Sequence, residues 1–100
     1  MYYVYVLQSE KDNLLYLGCT HNLKQRLSMH NAGKICSTKR RAPFRLIYYE
    51  AFINKQDAFG REQWLKTGWG RNQLRKILKS IFMSSVSKEI KDKNFRRMND

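Results

Sequence analysis

No apolar run in this chain of 100 residues is long enough to cross a bilayer, which excludes a helical membrane span. The apolar start at Met1 is short and tyrosine-rich, unlike a signal peptide, and no lipidation signal is present. Cysteine is nearly absent. Cys19 and Cys36 are the only two, and with nothing else pointing to export they read as reduced thiols in a cytoplasm rather than a disulfide scaffold. The paired C-x-x-C spacing of structural zinc is missing too, so a zinc site built from Cys19, His21, His30 and Cys36 is a weak alternative. Acidic residues are scarce: 8 Asp and Glu stand against 20 Lys and Arg, for a formal net charge of +12. That balance favours a polyanionic partner, most simply nucleic acid, because each neutralised phosphate releases condensed counterions. An acidic membrane surface would attract the same charge. There is no internal repeat and no second domain, and the length suits one modest core.

What is present is strongly patterned. From Tyr2 to Gln8 the residues alternate, with Tyr3, Tyr5 and Leu7 on one face and Tyr2, Val4 and Val6 on the other, as in a strand. The polar stretch from Ser9 to Asn13 then leads into a second apolar run from Leu14 to Thr20, so the pair predicts a β-hairpin. On the second strand Tyr16 and Gly18 share a face, and Gly18 leaves room for a close approach to the backbone. Asn22 as N-cap, Gln25 three residues later and Gly33 as a stop predict a helix over 23–31. Leu23 and Leu27 form its apolar stripe. Arg26 and His30 flank that stripe, which predicts that both sit at the edge of the packed surface.

The stretch from Lys34 to Pro43 lacks periodicity and reads as a basic loop carrying Lys39, Arg40 and Arg41. A third strand is expected from Phe44 to Phe52, with Leu46, Tyr48 and Phe52 alternating against Arg45, Ile47 and Tyr49. Asn54 would cap a second helix from Lys55 to about Thr67, closed by Gly68, and Gly60 inside it should cost about 1 kcal/mol relative to alanine. Its stripe runs through Ala58, Glu62 and Leu65, so a carboxylate lies on the inward face and needs a partner. A third helix with a basic outer face is predicted from Arg71 to Met83, and the charged remainder reads as a disordered tail. The expected division is therefore a domain over 1–83 and a tail over 84–100.

The densest chemistry lies between Tyr16 and His30, where a strand tyrosine, Arg26 and His30 can share one patch suited to a phosphate. Read one by one, the tyrosines are ordinary strand aromatics, Arg26 a surface cation and Glu62 a salt-bridge partner. Taken in order, Tyr3-Val4-Tyr5, Tyr16-Leu17-Gly18, Arg26, His30 and Glu62 make the chain resemble a small stand-alone GIY-YIG protein, a family of metal-dependent nucleases. The resemblance covers about the first eighty residues. It departs mildly where Tyr3 replaces the motif glycine and where Val4 and Leu17 replace isoleucine. Asn72 is the nearest candidate for an asparagine that many members carry after the glutamate.

The resemblance implies an α+β fold, a three-stranded antiparallel sheet flanked by helices in the order ββαβαα. It implies phosphodiester hydrolysis with one divalent ion, Mg2+ or Mn2+. Tyr5 would activate the attacking water, Tyr16 assist at the phosphate, Arg26 stabilise its charge, His30 handle a proton or hydrogen bond, and Glu62 hold the metal. DNA is the expected substrate, with Lys39, Arg40 and Arg41 on its backbone, and a protein partner could direct the domain to its target. A non-catalytic nucleic-acid-binding module of the same fold is the alternative.

Overall fold

The computed structural model describes residues 1–81, so the segment expected to be a tail lies outside the described residues. Tyr2–Ser9 forms β1, Leu15–Thr20 forms β2 and Phe44–Phe52 forms β3. Leu23–Asn31 forms α1, Lys55–Leu65 forms α2 and Gly68–Ile77 forms α3, with a short 3-10 turn at Lys39–Arg41. The sheet is antiparallel with β1 in the middle, in the order β2-β1-β3. This is the α+β arrangement expected.

The alternation along β1 separates two cores. Val4 and Val6 face α2 and α3, where they pack with Leu15, Leu17, Ala58, Leu65, Leu74 and Leu78. Tyr5 and Leu7 face α1, with Phe44, Leu23 and Leu27. Each leucine fully withdrawn from water contributes about 1.5–3 kcal/mol, and the first group is the larger store of stability.

The β1–β2 turn is closed by Ser9, whose hydroxyl accepts from the backbone N–H groups of Lys11 and Asp12, while Asp12 accepts from Leu14 N–H. Asn13 takes the left-handed conformation at φ 62°, one that asparagine tolerates better than most residues. Asn22 caps α1 by accepting from Gln25 N–H at 3.0 Å, and Gly33 leaves the helix at φ 72°, both where the sequence puts them.

Three local expectations need correction. Leu46 and Tyr48 do not share a face, because Ile47 is an extra residue where Val6 pairs with Tyr48 and Leu7 with Leu46. Leu46 therefore packs on the α1 side, and Ile47, Tyr48 and Phe52 on the other. Gly68 does not close α2 but opens α3. Thr67 is the N-cap, its hydroxyl accepting from Gly70 N–H at 3.2 Å. A Cβ on Gly70 would overlap the carbonyl of Trp64 and Cα of Leu65, so α3 lies directly on the end of α2. Finally, the segment read as a basic loop is tied down: Ser9 donates its hydroxyl to Arg41 carbonyl at 2.5 Å, and Glu10 N–H donates to Pro43 carbonyl at 2.8 Å. Gly60 leaves α2 continuous, with nothing within 4 Å of the place a Cβ would take.

One polar network binds β3 to the helices. Arg61 on α2 grips Glu50 on β3 through two donors at 2.8 and 3.0 Å, and Tyr48 donates its hydroxyl to the same carboxylate at 2.6 Å. These bonds hold the Glu50 carboxyl below the usual range, Arg61 being the main cause. A carboxyl lowered on folding stabilises the fold above its unfolded pKa, and that contribution disappears as pH falls through the folded value. Glu50→Gln is therefore expected to lose about 2 kcal/mol near pH 7. In urea titrations the gap from the unsubstituted protein should close below about pH 4.

Candidate active site

β1 and β2 pair so that Tyr5 stands opposite Gly18. The phenol of Tyr5 lies across that glycine, and a Cβ there would overlap the phenol oxygen and Cζ. The space that Gly18 leaves is thus filled by the chain's own tyrosine. Tyr5 is 2% exposed, and its hydroxyl lies 3.0 Å from His30 Nε2.

His30 is fully buried, not at the edge of the packed surface as its place beside the α1 stripe suggested. The reason lies beyond α1. Asn31 donates its side-chain amide to Phe44 carbonyl at 3.1 Å and accepts from Phe44 N–H at 2.6 Å, which pins the last turn of α1 to the start of β3. The rings of Tyr5, Tyr16 and Phe44 then surround the imidazole at centroid distances of 5.9, 5.0 and 5.7 Å. Its Nδ1 lies 2.7 Å from Thr38 Oγ1, and that hydroxyl donates to Ile35 carbonyl at 3.5 Å. The network therefore assigns the proton of the neutral ring to Nδ1, donated to Thr38, and leaves Nε2 to accept from the Tyr5 hydroxyl.

Burial, helped by the charge of Arg26, pulls the His30 pKa down to about 4. Burial also pushes the Tyr5 phenol up to about 12, with Tyr16 and Glu62 adding to the rise and the Arg26 guanidinium opposing it. At neutral pH the resting pair is a phenol bonded to an uncharged imidazole.

Arg26 is half-buried, and its Nε is shielded from water with no hydrogen-bond partner among the described residues. Its side chain lines a cleft of about 510 Å³ with Tyr2, Cys19, Gln25 and Lys55. An unpaired buried guanidinium donor beside an open cleft suits an incoming anionic oxygen. Tyr16 lies partly exposed on β2, its ring 6.3 Å from that of Tyr5.

Glu62 comes from α2, the helix on the other face of the sheet. It is 8% exposed and pairs with Lys66 one turn on, at 3.3 Å. Its charge still raises the pKa of both Tyr5 and Cys19, so it bears on the edge where the α1 residues meet. No group of three His, Cys, Asp or Glu that could hold a metal occurs among the described residues. A single hard carboxylate fits a magnesium-like ion that keeps several waters. Both nitrogens of His30 are engaged by Tyr5 and Thr38, which leaves the zinc alternative without that ligand.

Lys39 and Arg40 are exposed on the 3-10 turn. Arg41 is held in the fold instead, its Nε pairing with Asp12 at 3.2 Å and its Nη2 donating to Leu15 carbonyl at 3.2 Å. Asn72 accepts from Arg75 at 2.6 Å on exposed α3. The sequence reading missed Thr38, for which no local pattern exists. It also missed Lys66, although the i, i+4 spacing from Glu62 was a usable signal.

Residues 1–75 match the family model of the GIY-YIG catalytic domain. A UPF0213 protein of Clostridium perfringens is 39% identical over 97% of this chain and 96% of its own length. A UPF0213 protein of Staphylococcus haemolyticus is 44% identical over 77% of this chain and 93% of its own length. Among solved structures, the solution NMR structure of a UPF0213 protein from Bacillus halodurans is 33% identical, covering 77% of this chain and 85% of that one with a TM-score of 0.47. No helix of the described residues is long and apolar enough to cross a membrane. The chain belongs to the GIY-YIG family, among the small bacterial proteins grouped as UPF0213.

Proposed function

We propose that this protein is a cytoplasmic, magnesium- or manganese-dependent endonuclease that hydrolyses DNA phosphodiester bonds. Family membership supports nuclease chemistry on nucleic acid in general. The observation that carries the more specific reading is the bond between the Tyr5 hydroxyl and an uncharged His30 beside Arg26.

Hydrolysis needs a proton removed from water, charge neutralised on the phosphate and help for the leaving oxygen. Tyr5 can take up a proton only by giving up its own, and His30 Nε2 is placed to receive that proton. Thr38 holds the imidazole in the accepting tautomer. Arg26, from the cleft wall, would donate to the phosphate oxygens, and Tyr16 would bond to the same group. Glu62 would hold a metal ion, which would supply Lewis acidity at the phosphate. Lys39 and Arg40 would contact flanking phosphates, while Arg41 mainly braces the turn that carries them.

The test is cleavage of single-stranded, nicked, branched and duplex DNA, with magnesium and with chelator. Tyr5→Phe is expected to lower the cleavage rate by about 10²- to 10⁴-fold while leaving DNA binding unchanged. Equal cutting by Tyr5→Phe removes the tyrosine from the chemistry. A second reading, a non-catalytic nucleic-acid-binding module, draws support from the burial of Tyr5 and its raised pKa. Under that reading nothing is cut, and binding falls steeply with salt but is indifferent to metal.

A further inference from the structure

On α3, at the far end of α2 from Asn54, Trp69 is 79% exposed. The other tryptophan, Trp64, is the less exposed of the two and lies under Arg61, whose Cζ is 5.2 Å from its ring centroid. Trp69 has a different setting. At Gly70 the backbone of α3 sits on Trp64 and Leu65, so the helix closes against α2 there and the neighbouring indole is turned outward. Gly68, on its other side, leaves the flank open, with nothing within 4 Å of a Cβ position. Together Gly68, Trp69, Arg71, Asn72 and Arg75 line a second concavity of about 460 Å³. The outer face of α3 adds exposed Lys76, and exposed Lys79 follows just past its end.

An exposed indole is costly to display and has a flat π face to offer. The cations around it disfavour a basic partner and favour a polyanion. A nucleic-acid strand satisfies both features at once, its base stacking on the ring and its phosphates meeting the arginines. We infer that Trp69 is a nucleobase-stacking anchor, with Arg71 and Arg75 as its phosphate contacts, forming a nucleic-acid-binding site on α3 separate from the Tyr5–His30 centre. This site needs neither metal nor phosphodiester chemistry, so it stands or falls independently of the proposed cleavage.

The probe is a fluorescein-labelled oligodeoxythymidylate, bound to the full chain in the presence of chelator. In a Trp64→Phe background Trp69 is the sole tryptophan, and its emission is expected to quench on binding. Trp69→Ala should weaken binding about tenfold, and Trp69→Phe should recover part of that loss. Because stacking involves no counterion, the slope of log affinity against log salt should stay unchanged in Trp69→Ala. In Arg71→Ala that slope should fall by about one.

Unchanged affinity in Trp69→Ala would overturn the assignment. So would shielding of Trp69 from acrylamide in the free protein, or equal quenching by polyglutamate, which would mark a site for any acidic chain. Loss of cleavage in Tyr5→Phe with undiminished binding in Trp69→Ala would sink this inference alone. Quenching without cleavage of any DNA would sink the nuclease reading alone.

Discussion

Glu62→Gln is expected to abolish metal-dependent cleavage, by about 10³-fold or more, in a protein that still folds. The amide keeps the size and most of the packing of the carboxylate, so the apolar stripe of α2 is undisturbed. What disappears is the negative charge, and with it the anionic oxygen donor that would hold the metal. The ion pair with Lys66 is lost too, but the lysine is partly exposed and such pairs contribute about 0–1 kcal/mol. Stability should hardly change. The substitution also has a signature without DNA: Cys19 is raised first by burial and then by Glu62, so removing the charge should lower the pH at which its thiolate absorbs. Manganese-induced broadening of NMR signals around residue 62 should vanish at the same time. If Glu62→Gln cuts DNA as fast as the parent, the metal assignment is wrong even if the nuclease assignment survives.

Gly18→Ala adds a single methyl group and should damage the site directly. The new Cβ falls on the phenol of Tyr5, and the ring is walled in by β2 beneath it and by His30 and α1 beyond. Overpacking of this sort costs about 1–3 kcal/mol, and relief requires the phenol to leave His30. Both stability and cleavage should fall. A double-mutant cycle distinguishes this from a backbone effect. Tyr5→Leu removes the obstructing atoms, so in that background Gly18→Ala should cost little, giving a coupling energy of about 1–3 kcal/mol in urea unfolding. Gly18→Ala that is neutral in the parent would show that Tyr5 can shift freely, and the fixed tyrosine–histidine bond would lose its basis.

The pH dependence of the site follows from His30. A histidine buried in its neutral form binds its proton more weakly when folded, with a pKa of about 4 against the usual 6.5. The unfolded chain therefore takes up protons first, and stability should decline as pH falls from about 6.5 towards 4. Below that range the charged imidazole can no longer accept from Tyr5.

Much of this could be read from local patterns because local physics decides it. The two-residue alternation of β1 placed Tyr5 and Val4 on opposite faces, and Asn22 and Gly33 bounded α1 by their own chemistry. The parts that stayed hidden depend on distant neighbours. His30 looked half-exposed because its covering comes from Phe44 and Thr38, outside the helix. The bulge at Ile47 is a property of two strands and leaves no mark on one. Glu62 announced itself as an acid on an apolar stripe, but its bearing on Tyr5 requires α2 to cross the opposite face of the sheet. Thr67 shows the limit of local signals: it and Gly68 both carry helix-end chemistry, and the close seat of Gly70 on α2 accompanies the choice of Thr67 as a start.

The position of β1 between its two neighbours has a mechanical consequence. Tyr5 is borne by the strand that, among the described residues, is hydrogen-bonded along both edges, and whose faces each belong to a different core. Displacing that tyrosine would mean unzipping the middle of the molecule, so this half of the site has the stiffness of the whole domain. Adjustment to differently shaped DNA would then fall to exposed side chains at the rim, those of Lys39, Arg40, Lys55 and Trp69, rather than to the sheet. On the proposed function the site would resemble a vice with one fixed jaw, and selection among substrates would belong to the other.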